Sequence, residues 1–252
     1  MKDILQEIVA TKRAEVDRRK RETDLQALYR QAETPRTTRH SLQEALRSSS
    51  TGIISEFKRR SPSKGWINRE ADVQSVVRAY QQAGATALSI LTDTPYFGGT
   101  DDDLRSARQA CSLPILRKDF MIDEFQLVES RVLGADAVLL IAAALTREQC
   151  RRFAEIAHQL ELEVLLEIHD QSELDYYSEY VDVLGVNNRN LGTFHTDVAN
   201  SFRLVEQMPQ EATPISESGI SNPGTVKELR AIGFKGFLIG ENFMKTDAPG
   251  GS

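Results

Sequence analysis

Six charged residues and one amide stand at or just beyond the ends of short apolar runs: Glu56, Lys58, Lys118, Glu167, Asn187, Arg189 and Glu217. In Ile53-Ile-Ser-Glu-Phe-Lys58 the side chains alternate, so Ile54, Glu56 and Lys58 share one face of a strand and Ile53, Ser55 and Phe57 the other. Placing a carboxylate and an ammonium on the core side costs desolvation free energy. That cost is expected where charge does chemistry. Taken alone, the pair reads equally well as a structural ion pair at a rim. The later runs repeat the pattern: Lys118 has the parity of Leu116, Glu167 that of Leu165, and Asn187 that of Gly185. If those small and aliphatic residues face a common interior, three cations (Lys58, Lys118, Arg189) meet three carboxylates (Glu56, Glu167, Glu217). Such a set pairs internally, shifts its own pKa values and supplies general acids and bases.

The elements that must position these residues form a rhythm. Apolar segments recur at 53–57, 86–91, 114–117, 137–141, 163–168, 183–187, 213–217 and 236–240, with amphipathic stretches such as 72–84, 123–133, 146–160 and 222–232 between them. Strands alternating with helices imply parallel pairing through helical crossovers, and continuous apolar strands imply burial on both faces. Eight units in about 200 residues predict an α/β fold, a (β/α)8 TIM barrel. A doubly wound open sheet is the alternative, weakened because no glycine-rich dinucleotide fingerprint follows the first strand. Asp123-Glu124 and Thr146-Arg-Glu-Gln149 read as helix starts, and Gly84, Gly134 and Gly233 as helix stops. Residues 3–20 form an amphipathic helix in need of a surface, and 24–51 carry short helices. The expected organisation is one domain over 1–252, with 1–51 as an N-terminal helical extension. The chain stops at Ser252 soon after the eighth strand, so the final outer helix is expected to be missing. The apolar surface it would cover is then expected to be exposed or covered by another chain.

In a barrel of this kind the site lies at the C-terminal ends of the strands, and the loops after the last two commonly hold phosphate. Here those ends read Ser218-Gly219 and Gly240-Glu241. Glycine lets backbone N–H groups approach an anion closely, and Lys58 or Arg189 would add charge.

Bulk properties narrow the rest. A net charge of -6 argues against broad nucleic-acid binding. The apolar run from Ala137 to Leu145 is too short to span a bilayer, and Met1-Lys-Asp-Ile-Leu5 has no signal-peptide character. Cys111 and Cys150 have no metal-ligand spacing and fit a reduced compartment, so the expected location is cytoplasmic. His40, His158, His169 and His195 are scattered and read as surface or packing residues, and the basic run of Lys12, Arg13 and Arg18 to Arg21 as a solvated helix face.

The chain resembles the indole-3-glycerol-phosphate synthase family along nearly its whole length. The resemblance is carried by Ser55-Glu-Phe-Lys-Arg-Arg-Ser-Pro-Ser63, Leu116-Arg-Lys-Asp-Phe120, Gly185-Val-Asn-Asn-Arg-Asn-Leu191, Ser216-Glu-Ser-Gly-Ile220 and Phe237-Leu-Ile-Gly240. It implies ring closure, decarboxylation and dehydration of 1-(2-carboxyphenylamino)-1-deoxyribulose 5-phosphate, with no cofactor and no metal. By the same resemblance Lys118 is the general acid of ring closure and Glu167 an acid/base of the dehydration, shared with Lys58. Glu56 and Asn187 orient substrate and stabilise charge, Lys58 meets its carboxylate or phosphate, and Phe97 contacts its ring. Ser218, Gly219, Gly240 and Glu241 match the phosphate loops, with Ser61, Arg189 and Glu217 behind the first row. A carbonyl is protonated best by an acid titrating near neutrality. Three cations in one mouth would lower a lysine's pKa, so a depressed Lys118 is expected. The expected partner is a phosphorylated small molecule, with other tryptophan-pathway enzymes as further candidates and no nucleic acid or membrane. Two other readings stand beside this one. One is another phosphate-binding barrel such as phosphoribosylanthranilate isomerase, whose acid/base work favours a cysteine and aspartate pair; neither cysteine here ends a strand. The other is a truncated barrel kept as a binding partner.

Overall fold

Eight parallel strands close on themselves in this computed structural model, which describes residues 4–36, 38–190 and 193–246. The strands are β1 (Ile53–Phe57), β2 (Ala87–Leu91), β3 (Ile115–Lys118), β4 (Ala137–Ile141), β5 (Glu163–Ile168), β6 (Val183–Asn187), β7 (Pro214–Glu217) and β8 (Gly236–Ile239). Each pairs with its sequence neighbours, and β8 returns to β1 through Ile53 opposite Phe237. The expected barrel is thus present, and the open sheet is not.

Alternation along the strands divides the apolar residues into two cores. Ile54, Ala87, Leu116, Leu139, Leu165, Val183, Ile215 and Leu238 fill the interior. Phe57, Leu88, Ile90, Ile115, Leu140, Leu166, Val186 and Phe237 pack outward against the helices. The sheet is therefore buried on both faces, which is why its strands read as continuous apolar runs.

The outer helices begin where capping chemistry predicts. Before α4 (Glu124–Leu133) and α5 (Arg147–Gln159), Asp123 with Gln126 and Thr146 with Gln149 close reciprocal capping boxes. Gly134 ends α4 at φ 94°, a left-handed conformation costly for residues with a Cβ. The described chain after β8 makes one helical turn, Glu241–Met244. Pro249 to Ser252, on which the expectation of a missing final helix rested, lie outside the described residues, as does Leu191 at the end of one motif.

The N-terminal segment wraps the barrel from mouth to base. Helix α1 (Ile4–Glu22) buries Leu5 and Ile8 against the interior core at its open end. Helix α2 (Leu25–Ala32) packs on α4. Helix α3 (Leu42–Ser48) plugs the base, where Leu42 and Leu46 join the interior core and Ser41 Oγ donates to Glu163 at the start of β5.

The basic run on α1 is not a uniformly solvated face. Arg13, Arg18 and Arg21 are exposed, but Lys12 is fully buried between Asp93 (2.9 Å), Asp119 (3.0 Å) and Glu15 (2.9 Å). Arg19 pairs with Asp101 and with Glu129 (2.6 Å). Burial works against the Lys12 charge, yet the three carboxylates raise its pKa above the ordinary lysine range. These ion pairs clamp α1 to the strand ends that carry the charged residues.

Candidate active site

A cavity of about 520 Å³ opens at the C-terminal ends of the strands, within the range of small-molecule sites. Glu56, Lys58, Lys118, Glu167, Asn187 and Arg189 all line it. So do Ser218 and Gly219 after β7, Gly240 and Glu241 after β8, and Phe97 after β2. Ile4, Leu5 and Ile8 of α1 contribute apolar wall. Two of the sequence-predicted residues stand elsewhere. Glu217 lies behind Lys118 and is fully buried. Ser61 belongs to a short hairpin (Arg60–Ser61 with Gly65–Trp66), where its hydroxyl accepts from the Lys64 N–H, while Pro62, Ser63 and Lys64 face the cavity.

Strand register sets the charged floor. Lys118 Nζ lies 3.5 Å from Glu56 Oε2 and 3.4 Å from Glu217 Oε2. Lys58 Nζ holds the other oxygen of Glu56 at 3.1 Å. Ser89, opposite Glu56 on β2, donates to Glu56 Oε2 at 3.1 Å. Asn187 Nδ2 donates to Glu167 Oε1 at 3.1 Å, and Asn187 Oδ1 accepts from the Arg189 N–H. Two glycines make room for this packing. A Cβ on Gly185 would fall 2.2 Å from Glu217 Oε1, and one on Gly240 would fall 2.7 Å from Glu56 Oε1. Gly240 thus has a second reason to be glycine, apart from any anion. Gly185→Ala is expected to cost about 1–3 kcal/mol by overpacking, read as a lowered urea midpoint, with Lys118 losing its Glu217 contact.

The electrostatics correct one expectation. Lys118 was expected to have a depressed pKa; the structure raises it. Burial alone would lower it, but Glu56, Glu217 and Glu167 surround this ammonium more closely than other cations do, and they win. The same cations act on Glu56: against the pull of burial, Lys118 and Lys58 hold its carboxyl down at about 2. Burial and the nearby Glu167 charge push Glu217 up to about 8.

Linkage gives this a measurable consequence. A raised acid binds its proton in the native state and not in the unfolded state, so stability falls as pH rises from the ordinary value of 4.5 towards 8. Glu217→Gln is expected to remove that fall, read as a melting temperature that rises relative to the parent's as pH goes from 4.5 to 8. Glu56 has the opposite sign: its contribution is present above 4.5 and is lost as pH falls towards 2.

At the other arc of the mouth Ser218 and Gly219 are both left-handed, at φ 68° and 75°. Asn188, buried and unremarked in the sequence, holds this turn: its Nδ2 donates to the Ser218 carbonyl (3.1 Å) and to Ser216 Oγ (3.0 Å). Arg189 reaches across the mouth, with Nη2 3.5 Å from Glu241 Oε2 and Nη1 donating to Ser63 Oγ at 3.3 Å. Phe97 faces Phe120 with ring centroids 6.0 Å apart, forming an aromatic wall after β2 and β3. Phe194, which no sequence argument singled out, also lines the cavity from the loop after β6. Trp66 does not line it; it is half-exposed between Arg60 and Arg69.

A family profile described as indole-3-glycerol phosphate synthase matches residues 5–250. The chain is 58% identical over 250 residues to the indole-3-glycerol phosphate synthase of Bacteroides thetaiotaomicron, covering 99% of this chain and 96% of that protein. It is 44% identical over 251 residues to that of Neisseria meningitidis serogroup B, covering 98% and 96%. Among solved structures it is similar in fold to a thiamine phosphate pyrophosphorylase from Pyrococcus furiosus, with a TM-score of 0.60, 17% identity and coverage of 84% of this chain and 93% of that one. A mutant tryptophan synthase alpha-subunit from the same organism has a TM-score of 0.59 at 14% identity, covering 77% and 89%. At those identities the structures speak for the barrel alone. The near-full-length relatives speak for more: the chain belongs to the indole-3-glycerol phosphate synthase family.

Proposed function

We propose that the cavity closes the indole ring of 1-(2-carboxyphenylamino)-1-deoxyribulose 5-phosphate, releasing carbon dioxide and then water, as a carboxy-lyase of tryptophan biosynthesis. The observation that carries this reading is the Lys118 ammonium held at the cavity floor between Glu56 and Glu217. Attack of the aromatic carbon on the sugar ketone turns its oxygen into an alkoxide, and Lys118 is the donor aimed at that charge. Its raised pKa does not forbid the transfer. It delays it until the oxygen has become strongly basic, so the ammonium first stabilises charge and then gives up a proton. The electron pair of the breaking carboxylate bond returns to the ring as carbon dioxide leaves. The hydroxyl then departs as water on a proton from Glu167, pushed out by the ring-nitrogen electron pair, and Glu167, oriented by Asn187, takes the proton from the methylene carbon beside that nitrogen as the indole double bond forms.

Glu56 acts as a fixed anion that positions Lys58 and Lys118, and Lys58 is left to meet the substrate's anionic groups. The phosphate fits the turn at Ser218-Gly219 and the Gly240 end of β8, where backbone N–H groups and Arg189 supply the positive field. Glu241 contributes there through its N–H rather than its carboxylate, which would repel phosphate. Phe97 with Phe120 offers the wall for the aromatic ring. Ser61 supports the loop that brings Ser63 to Arg189. In this reading residues 1–252 form one domain with 1–51 as its extension. The protein works in the cytoplasm, and other enzymes of the pathway are its candidate partners.

Incubating the purified chain with this substrate should yield indole fluorescence and one carbon dioxide per indole. Binding with neither product would favour a barrel kept as a partner. Turnover of phosphoribosylanthranilate without carbon dioxide would favour the isomerase.

A further inference from the structure

Strand β5 carries three consecutive inward positions, Leu165, Glu167 and, just past its end, His169. The imidazole sits between two carboxylates, with Nε2 3.5 Å from Glu167 Oε1 and Nδ1 3.6 Å from Glu173 Oε2. Both nitrogens are buried and, among the described residues, neither has a hydrogen-bond partner. Those separations are a few tenths of an ångström too long for hydrogen bonds. A ring whose two nitrogens are buried and unsatisfied is costly unless it gains something when the site is in use. Its main chain, by contrast, is pinned: the His169 N–H donates to Glu173 Oε2 at 2.6 Å, and its carbonyl accepts from Asn200 Nδ2 at 2.8 Å. The backbone is fixed while the ring is free to tighten on either carboxylate. His169 does not line the cavity, so it would reach the chemistry only through Glu167.

We propose that His169, backed by Glu173, is a positioning residue that orients the Glu167 carboxylate and holds it charged between its proton transfers. This rests on the assignment of Glu167 as the acid/base of the dehydration. The ionisable groups that act on the ring are Glu167 on its own strand, Glu173 in the 3-10 turn that follows (Gln171–Tyr176), and Glu217 from β7. Burial favours the neutral ring, but these carboxylates outweigh it and raise its pKa. A protonated ring can donate to Glu167 and Glu173 at once. Glu167 then has two donors, His169 and Asn187, to fix its plane.

The test compares His169→Gln, His169→Ala and Glu173→Gln with the parent, using pH profiles of kcat and kcat/KM and a thermal melt for each. His169→Ala is expected to lower kcat by roughly ten- to a hundredfold with little change in KM, as expected when a reacting group is misplaced. The acid limb of its kcat profile is expected to move to higher pH. His169→Gln restores a donor without a charge, so it should recover part of kcat and keep the moved limb. Glu173→Gln leaves the ring in place and is expected to move the limb the same way, less far. A fall in kcat that tracks the melting temperature with the profile unmoved would overturn the proposal. Rates equal to the parent in all three variants would overturn it too. If the parent makes no indole product, the functional reading fails first. If the parent is active and Glu167→Gln is not, while the three variants behave as the parent, only this proposal fails.

Discussion

Lys118→Met is expected to lower kcat by roughly 10²–10⁴-fold, the usual scale for losing a positioned proton donor. Among the described residues no neighbouring cation is free to replace it. Lys58 is engaged with the far oxygen of Glu56, and Arg189 is engaged with Ser63 and Glu241 at another arc of the mouth. The substitution also has a structural price, because Glu56 and Glu217 lose the cation between them. Breaking a buried ion pair costs up to about 3–5 kcal/mol, and less here because Glu56 keeps Lys58 at 3.1 Å. Activity and stability can be separated with the double variant Lys118→Met/Glu217→Gln. Removing the second ionisable group should return part of the lost melting temperature and none of the lost rate. Steady-state kinetics beside calorimetry read both. A double variant that regained activity would show that the single variant was inactive only because its floor was distorted.

Glu167→Gln is the second large effect, and it should divide the reaction. The amide oxygen can still accept from Asn187 Nδ2, so the fold of the floor is kept, but the proton capacity is gone. A loss of roughly 10²–10⁴-fold in indole formation is expected. In the proposed mechanism ring closure and decarboxylation do not use this carboxylate, so one equivalent of carbon dioxide should still be released in a single turnover. Quenched-flow measurement of carbon dioxide beside indole absorbance checks this. Equal loss of both signals would move Glu167 to the earlier half of the reaction.

The features legible in the sequence were those set by local periodicity. A period of two fixes parity, so Lys118, Glu167 and Asn187 could be aimed inward from their own strands alone. Caps such as Asp123 with Gln126 are equally local. The Lys118 environment depends on which strands become neighbours. Glu217 reaches it from β7, over a glycine on β6. Counting cations and carboxylates gave three of each, but not the arrangement in which one ammonium sits among the acids. Lys12 failed for a similar reason: a helix pattern cannot reveal that Asp93 and Asp119 wait at the ends of β2 and β3. His169 was within reach, because it shares the parity of Glu167; reading histidines only for metal spacing passed over it. Asn188 and Phe194 gave no signal beyond their own motif and loop.

The central claim is that Lys118 meets the sugar carbonyl while the loops after β7 and β8 hold the phosphate. A crystal structure with a substrate analogue whose ketone is reduced to an alcohol tests it directly, because the analogue cannot cyclise. The expected complex places that hydroxyl within hydrogen-bond distance of Lys118 Nζ, the phosphate at Ser218-Gly219 and Gly240, and the aromatic ring against Phe97 and Phe120. A hydroxyl out of reach of Lys118, with the phosphate seated on another arc of the mouth, would contradict the account.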